Sequence, residues 1–444
     1  MKMKYKKITA ILLITLPFFL TACTLKDLPV IGSLFGGGSV VSKPAALSMW
    51  GLWESPEVMD ALIKKYQETT PTTTVTYDDR TVVRPSLYKE TVLSRVGQPG
   101  APDIIVIHNS WVNEMKDLLA PMPESLMTVE TYSQMFYPVV TQSAVIDGKI
   151  LAGPAHYDGI VLVYNKAHFD EIDQATPPTA WEEFRRLALA LTVKTEGGEF
   201  VRSGAAIGTA DNVDFFSDIL GLMFAQAGVN VPADLDSKAA QDTLSFYTMF
   251  ATEDKIWDKN FPEATKAFAQ GKVSMIFVPT WNLLDILKAN PTMNIGVAPV
   301  PQAVIDAPTS WASFWMYAVP KTSENQAAAW DLINYLLQDD QELALFNESS
   351  KVRAYGAPFS SVALSTQASS GSTAKYIKPA LDTAPFAKGG LFVGRAGNNL
   401  EVEALKTAVN ALLVENTSER VTPDVALKAC KDTLMGVTPT VPVE

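Results

Sequence analysis

Cysteine and histidine are scarce in this chain, with two and three residues among 444. With Cys23 taken up by an export signal, Cys430 is left alone, which excludes an internal disulfide and a cysteine-rich metal cluster. The three histidines, His108, His156 and His168, are read as core or hinge residues, so no metal is expected. Basic charge is also short. The formal net charge is -12, and removing Lys2, Lys4, Lys6 and Lys7 takes it to -16. No basic stripe is left to neutralise phosphates, which excludes nucleic acid as a partner. Beyond Leu20 no apolar run approaches the ~20 residues that a membrane-crossing helix needs. There is no internal repeat, no nucleophile elbow, and the spacing Asp211-x-x-Asp214-x-x-x-Asp218 is not that of a calcium loop.

What is present begins at the first residues. Four lysines precede an apolar run from Ile8 to Leu20, and Leu20-Thr21-Ala22-Cys23 closes it. This is the plan of a secretory signal. The final four residues resemble a bacterial lipobox, whose cysteine takes a diacylglycerol and becomes the new amino terminus. The resemblance implies a lipoprotein signal peptide at 1–22, lipidation at Cys23, and a lipid-anchored flexible linker at 23–43, where Gly36-Gly37-Gly38-Ser39 lies. The body is then expected outside the cytoplasm, on the outer face of the cell membrane or in the periplasm.

The roughly 400 residues that follow exceed one small core, and size favours two or more domains. Leu47 to Trp50 reads as a strand. Ser55-Pro56-Glu57 supplies a cap, a first-turn proline and an acid for a helix with apolar positions at Val58, Leu62 and Tyr66. Thr74 to Tyr77 is strand-like, Tyr88, Val92 and Val96 mark a second helix, and Ile104 to Ile107 is an unbroken apolar strand of the parallel-sheet kind. The sum is a β-α-β-α-β crossover lobe. A second lobe starts near Asp158 with a strand at 160–164, a Thr179 to Glu182 capping box, helices at 215–227, 238–251 and 262–270, and strands at 273–277 and 295–298. A strand-like run at 311–319, a helix at 325–337, a surface loop at 360–374 and a helix at 400–413 complete the reading.

Several segments, in this order, resemble the extracellular solute-binding proteins of bacterial ABC importers, the maltose-binding family 1 type. They are Trp50-Gly51-Leu52-Trp53, Gly100-Ala101-Pro102-Asp103-Ile104-Ile105, Pro154 to Gly159 with Val163-Tyr164-Asn165-Lys166, Pro178 to Glu183, and Ala267 to Met275. The resemblance implies an α/β, two-lobed periplasmic-binding-protein-like fold (type II) with the ligand cleft between lobes joined by hinge strands. One lobe would take 44–155 and 302–346, the other 156–301 and 347–444. Hinges would lie near His156-Tyr157, Val300-Pro301 and Asn347-Ser350. It also implies a monomeric receptor without catalytic residues or cofactor, which passes a sugar to ABC permease subunits.

In open α/β sheets ligands bind beyond the carboxyl ends of strands. That rule selects Trp50, Trp53, Asp79, Arg80, Asn109, Ser110, Trp111, Tyr157, Asp158, Trp281, Trp311 and Ser313 as ligand-binding residues, with Arg353 as a cation suited to an acidic sugar. Flat aromatic faces beside short polar groups suit a carbohydrate ring and its hydroxyls. Trp50 and Trp315 are equally compatible with burial. Asn398-Asn399-Leu400 stands where well-known sugar binders carry aromatics, which argues against a maltodextrin. Two other readings stand beside the sugar receptor: a binding protein for a polyamine or peptide, and an exported glycoside hydrolase using Asp79 and Asp158.

Overall fold

The computed structural model describes residues 43–367, 373–414 and 420–436, leaving out the side chain of Ser86. Cys23, the signal and most of the linker lie outside the described residues. Strand β1 (Ala45–Gly51) is followed by helix α1 (Pro56–Thr69), strand β2 (Thr73–Asp79), helix α2 (Pro85–Val96) and strand β3 (Ile104–His108). Ser55 is the extended N-cap of α1, Pro56 opens the helix, and Val58, Met59, Leu62, Ile63 and Tyr66 form its buried face. Full burial of a side chain such as Leu62 is worth about 1.5 to 3 kcal/mol. The Tyr66 hydroxyl ends that stripe by donating to Asp331 at 2.8 Å.

β1 pairs in parallel with β2 and β3, with Gly51 opposite Asp79 and Trp50 opposite Ile105. The strand Trp315–Ala318 then adds antiparallel to β3, placing Trp315 opposite His108, and Gly153–Pro154 forms the far edge. A second sheet centres on Ile160–Asn165, flanked by the antiparallel strands Met275–Pro279 and Ile295–Ala298. Both Ile160–Asn165 and Met275–Pro279 are buried throughout, as continuous apolar strands covered on two faces should be.

Three expectations are corrected. The run 311–319 is not one strand. Ser310–Trp311 pairs with Ala387–Lys388, while Trp315–Ala318 joins the first sheet. The capping box does not form: Ala180 is the N-cap and has no capping side chain, and Glu183 rather than Glu182 reaches back, accepting the N–H of Thr179 at 3.0 Å. The stretch from Ser360 does not begin on the surface, because Ser360 and Ser361 are buried and donate backbone N–H groups to Glu342 at 3.0 and 3.1 Å. Among the described residues no helix is long and apolar enough to cross a membrane.

Candidate functional site

The parallel strands fix where the first cluster forms. β1, β2 and β3 end at one edge of their sheet, and the antiparallel strand Trp315–Ala318 begins there. Trp53 sits just beyond β1 with φ of 71°, a left-handed conformation that costs a non-glycine residue of order 1 to 3 kcal/mol. Two bonds hold it: its N–H donates to Thr81 Oγ1 at 2.7 Å, and the Tyr77 hydroxyl donates to the Glu54 carbonyl at 2.8 Å. Gly51 makes room for that tyrosine, since a Cβ there would lie 2.1 Å from the Tyr77 oxygen. The Trp53 ring is 37% exposed and lies 5.9 Å from Trp315. Beside it the Arg80 guanidinium covers the Trp50 ring at 4.3 Å and pairs with Asp78. Asp79 is turned to Thr81, accepting its N–H at 2.9 Å. Ser110 and Ser313, both partly exposed, flank the buried His108 ring at 2.8 and 3.1 Å.

The second cluster lies at the edge of the other sheet, where Ile160–Asn165 begins and Met275–Pro279 ends. The two edges touch through the bridge between Gly159 and Ala312 and the Ser313 N–H donated to the Asp158 carbonyl at 3.1 Å. Asp158 is buried, and its carboxylate accepts the N–H groups of Gly159, Thr280 and Trp281 at 2.7, 2.8 and 3.1 Å. Burial raises its pKa to about 6, although these bonds pull the other way. The turn it anchors projects Trp281, 36% exposed, edge-on to Phe215 at 5.6 Å. Arg395 reaches over the same Phe215 ring at 5.4 Å and pairs with Asp214.

Several candidate residues are packed inside instead. Trp111 is 0% exposed, because the short 3-10 turn Asn109–Trp111 folds it back into the core, where its Nε1–H donates to Asn398 Oδ1 at 2.8 Å. Asn109 is buried and accepts the Phe314 N–H at 3.1 Å. Tyr157 is fully buried between Tyr137 and Phe314. Trp311 is buried over Gly221 and Gly390, where a Cβ would come within 2.5 and 2.8 Å of its ring. Arg353 is not a free cation: it pairs with the buried Glu54 at 2.8 Å and donates to the Tyr355 carbonyl at 3.2 Å. Sequence reasoning noted Asn398 only as standing where sugar binders carry aromatics, and missed that it joins Trp111 to Ser110, a contact between residues far apart in the chain.

His156, at the expected first crossing, is partly buried, and its Nδ1, shielded from solvent, has no hydrogen-bond partner among the described residues. Burial, with Arg353 nearby adding to it, lowers its pKa from 6.5 to about 3. The folded-state value lies below the unfolded one, so His156 contributes stability that is complete above pH 6.5 and is lost as pH falls towards 3. Relative to His156→Asn, the wild type should lose about 1.4 kcal/mol per pH unit below the unfolded value. Urea midpoints compared between neutral and mildly acidic pH check this, and parallel profiles would contradict a buried neutral imidazole.

Two sheets thus meet edge to edge, with an exposed tryptophan at each edge. Residues 61–376 match the model of the bacterial extracellular solute-binding proteins, and the chain belongs to that family. The family comprises receptors, not enzymes. A putative binding protein of Brucella abortus is 23% identical over 248 residues, covering 54% of this chain and 59% of the relative's length. An ABC-transporter solute-binding protein from Thermotoga lettingae, bound with alpha-D-tagatose, superimposes with a TM-score of 0.66 at 21% identity, covering 88% of this chain and 98% of the other. A maltose-bound protein of T. maritima gives 0.66 at 17% identity, covering 88% and 99%. These likenesses show the two-lobed fold.

Proposed function

We propose that this protein is an extracytoplasmic receptor that captures a carbohydrate between two lobes and delivers it, as a monomer, to ABC permease subunits in the membrane. The observation that carries the reading is the placement of Trp53 and Trp281. They are the most exposed of the nine tryptophans, and each stands at the edge of a different sheet where the two sheets meet. Exposed rings beside hydroxyls and carboxylates form the surface a sugar uses, with its C–H face on the ring and its hydroxyls on polar groups. The sugar ligands of the tagatose- and maltose-bound structures agree with this. One lobe takes residues 44–155 and 302–346, the other 156–301 and 347–444. Crossings near Tyr157, Val300 and Asn347 act as hinges for closure.

A thermal-shift panel of D-tagatose, maltose, mannobiose, a polyamine and a peptide tests the solute class. A ligand at a hundred times its Kd stabilises the folded state by about 2.7 kcal/mol. A shift with a sugar is expected, and a shift with the polyamine or peptide alone would overturn the carbohydrate assignment.

The anchor belongs to the same reading. Cys23 follows Leu20-Thr21-Ala22 at the end of an export signal, so Cys23→Ser should accumulate as unprocessed precursor without acyl label. A normally processed, labelled lipoprotein in that variant would refute lipidation at Cys23.

A further inference from the structure

We infer that His108 is locked in its Nε2–H tautomer and thereby makes the Ser313 hydroxyl a hydrogen-bond donor directed at the solute. A neutral imidazole has one N–H donor and one acceptor nitrogen, and its neighbours decide which is which. At Nδ1 the neighbour is unambiguous. The Ser110 backbone N–H points at it from 3.3 Å, and a backbone amide can only donate. Nδ1 is therefore the acceptor, and the proton sits on Nε2. The Ser110 hydroxyl, 2.8 Å from the same nitrogen, must donate to it as well, while its oxygen accepts from Asn398 Nδ2 at 2.9 Å. Its donor capacity is used up inside the protein.

Ser313 is left in the opposite state. Its Oγ lies 3.1 Å from Nε2 and accepts the imidazole proton. Its own hydroxyl proton meets no acceptor among the described residues, and the residue is partly exposed at the edge that carries Trp53. The two serines beside one histidine thus have different polarity: Ser110 is closed, and Ser313 offers a proton. The ring cannot readily reverse this by titrating. It is buried, and burial, with Lys89 adding to it, lowers its pKa to about 3. Its edge-on packing against Trp315 at 5.2 Å also fixes its orientation. His108 is a positioning residue here, and Ser313 is the group that selects an acceptor atom on the solute, such as a ring or carbonyl oxygen.

This deepens the carbohydrate reading and rests on it only for the identity of the solute. Nitrogen-15 correlation spectra of the full chain at neutral pH report the tautomer without any ligand, with His108 assigned by loss of its signals in His108→Gln. A protonated Nε2 is expected, with its proton resonance moved by Ser313→Ala, which removes the acceptor. Protonated Nδ1, or an Nε2 proton unmoved by Ser313→Ala, would overturn the inference. If D-tagatose or maltose binds, Ser313→Ala should weaken it about tenfold. Equal affinity in variant and wild type would overturn the role of Ser313. Should neither sugar bind, the carbohydrate assignment loses support, while the spectra still decide the tautomer.

Discussion

Trp111→Ala is expected to destabilise the protein by about 3 to 5 kcal/mol, the cost of emptying a core site of tryptophan size. The ring is fully buried, meets Trp315 edge-on at 5.3 Å, and lies below the Lys89 ammonium at 5.5 Å. Its removal also strips Asn398 Oδ1 of the indole N–H, and an unsatisfied buried acceptor adds about 1 to 3 kcal/mol unless water enters. Asn398 Nδ2 in turn bonds Ser110 and the Leu391 carbonyl, so the damage should spread to the segment leading into the helix Asn399–Leu412. Urea unfolding monitored by far-UV circular dichroism checks this. A loss below about 1 kcal/mol would mean that the ring is not the core element its burial makes it.

The contrast between Trp111 and Trp281 shows where sequence reasoning stops. Both follow an apolar strand in polar company, and nothing in composition or spacing separates them. Their fates differ through partners far away in the chain. Asn398 draws Trp111 inward, whereas the buried Asp158 carboxylate gathers the N–H groups of Thr280 and Trp281 and leaves the Trp281 ring outside. The helices α1 and α2 were legible because their apolar residues fall at helical spacing, in α1 behind a proline start. The helix Asp339–Val352 was not, since its buried face is Gln341, Glu342, Leu345 and Ser349, a stripe that reads as polar. Glu342 is buried there because Ser360 and Ser361 satisfy its oxygens, a pairing no local pattern announces. Likewise the sequence marks 311–319 as extended but not that its two ends join different sheets. Choice of strand partner is a tertiary decision, made by which edge is left to cover.

Trp53 and Trp281 should respond to alanine in the opposite way to Trp111. Each ring is more than a third exposed, so little cavity results and the melting temperature of the free protein should change little. For Trp53→Ala a small stability cost is expected all the same. The residue occupies a left-handed backbone conformation, and alanine keeps that strain while losing the contact with Trp315. Affinity is where the effect lies. An aromatic anchor truncated in a closed binding site costs at least ~2 kcal/mol, about thirtyfold or more. Calorimetric titration of each variant with whichever sugar the wild type binds should show that loss, and the double variant should fall close to undetectable binding. Trp50 supplies the internal control, because Arg80 already covers one face of its ring at 4.3 Å and the residue is only partly exposed. Trp50→Ala is therefore expected to weaken binding less than either exposed tryptophan. Strong loss at Trp50 with normal affinity at Trp53 and Trp281 would place the aromatic platform behind Arg80 instead, and would require that arginine to swing away when the solute arrives.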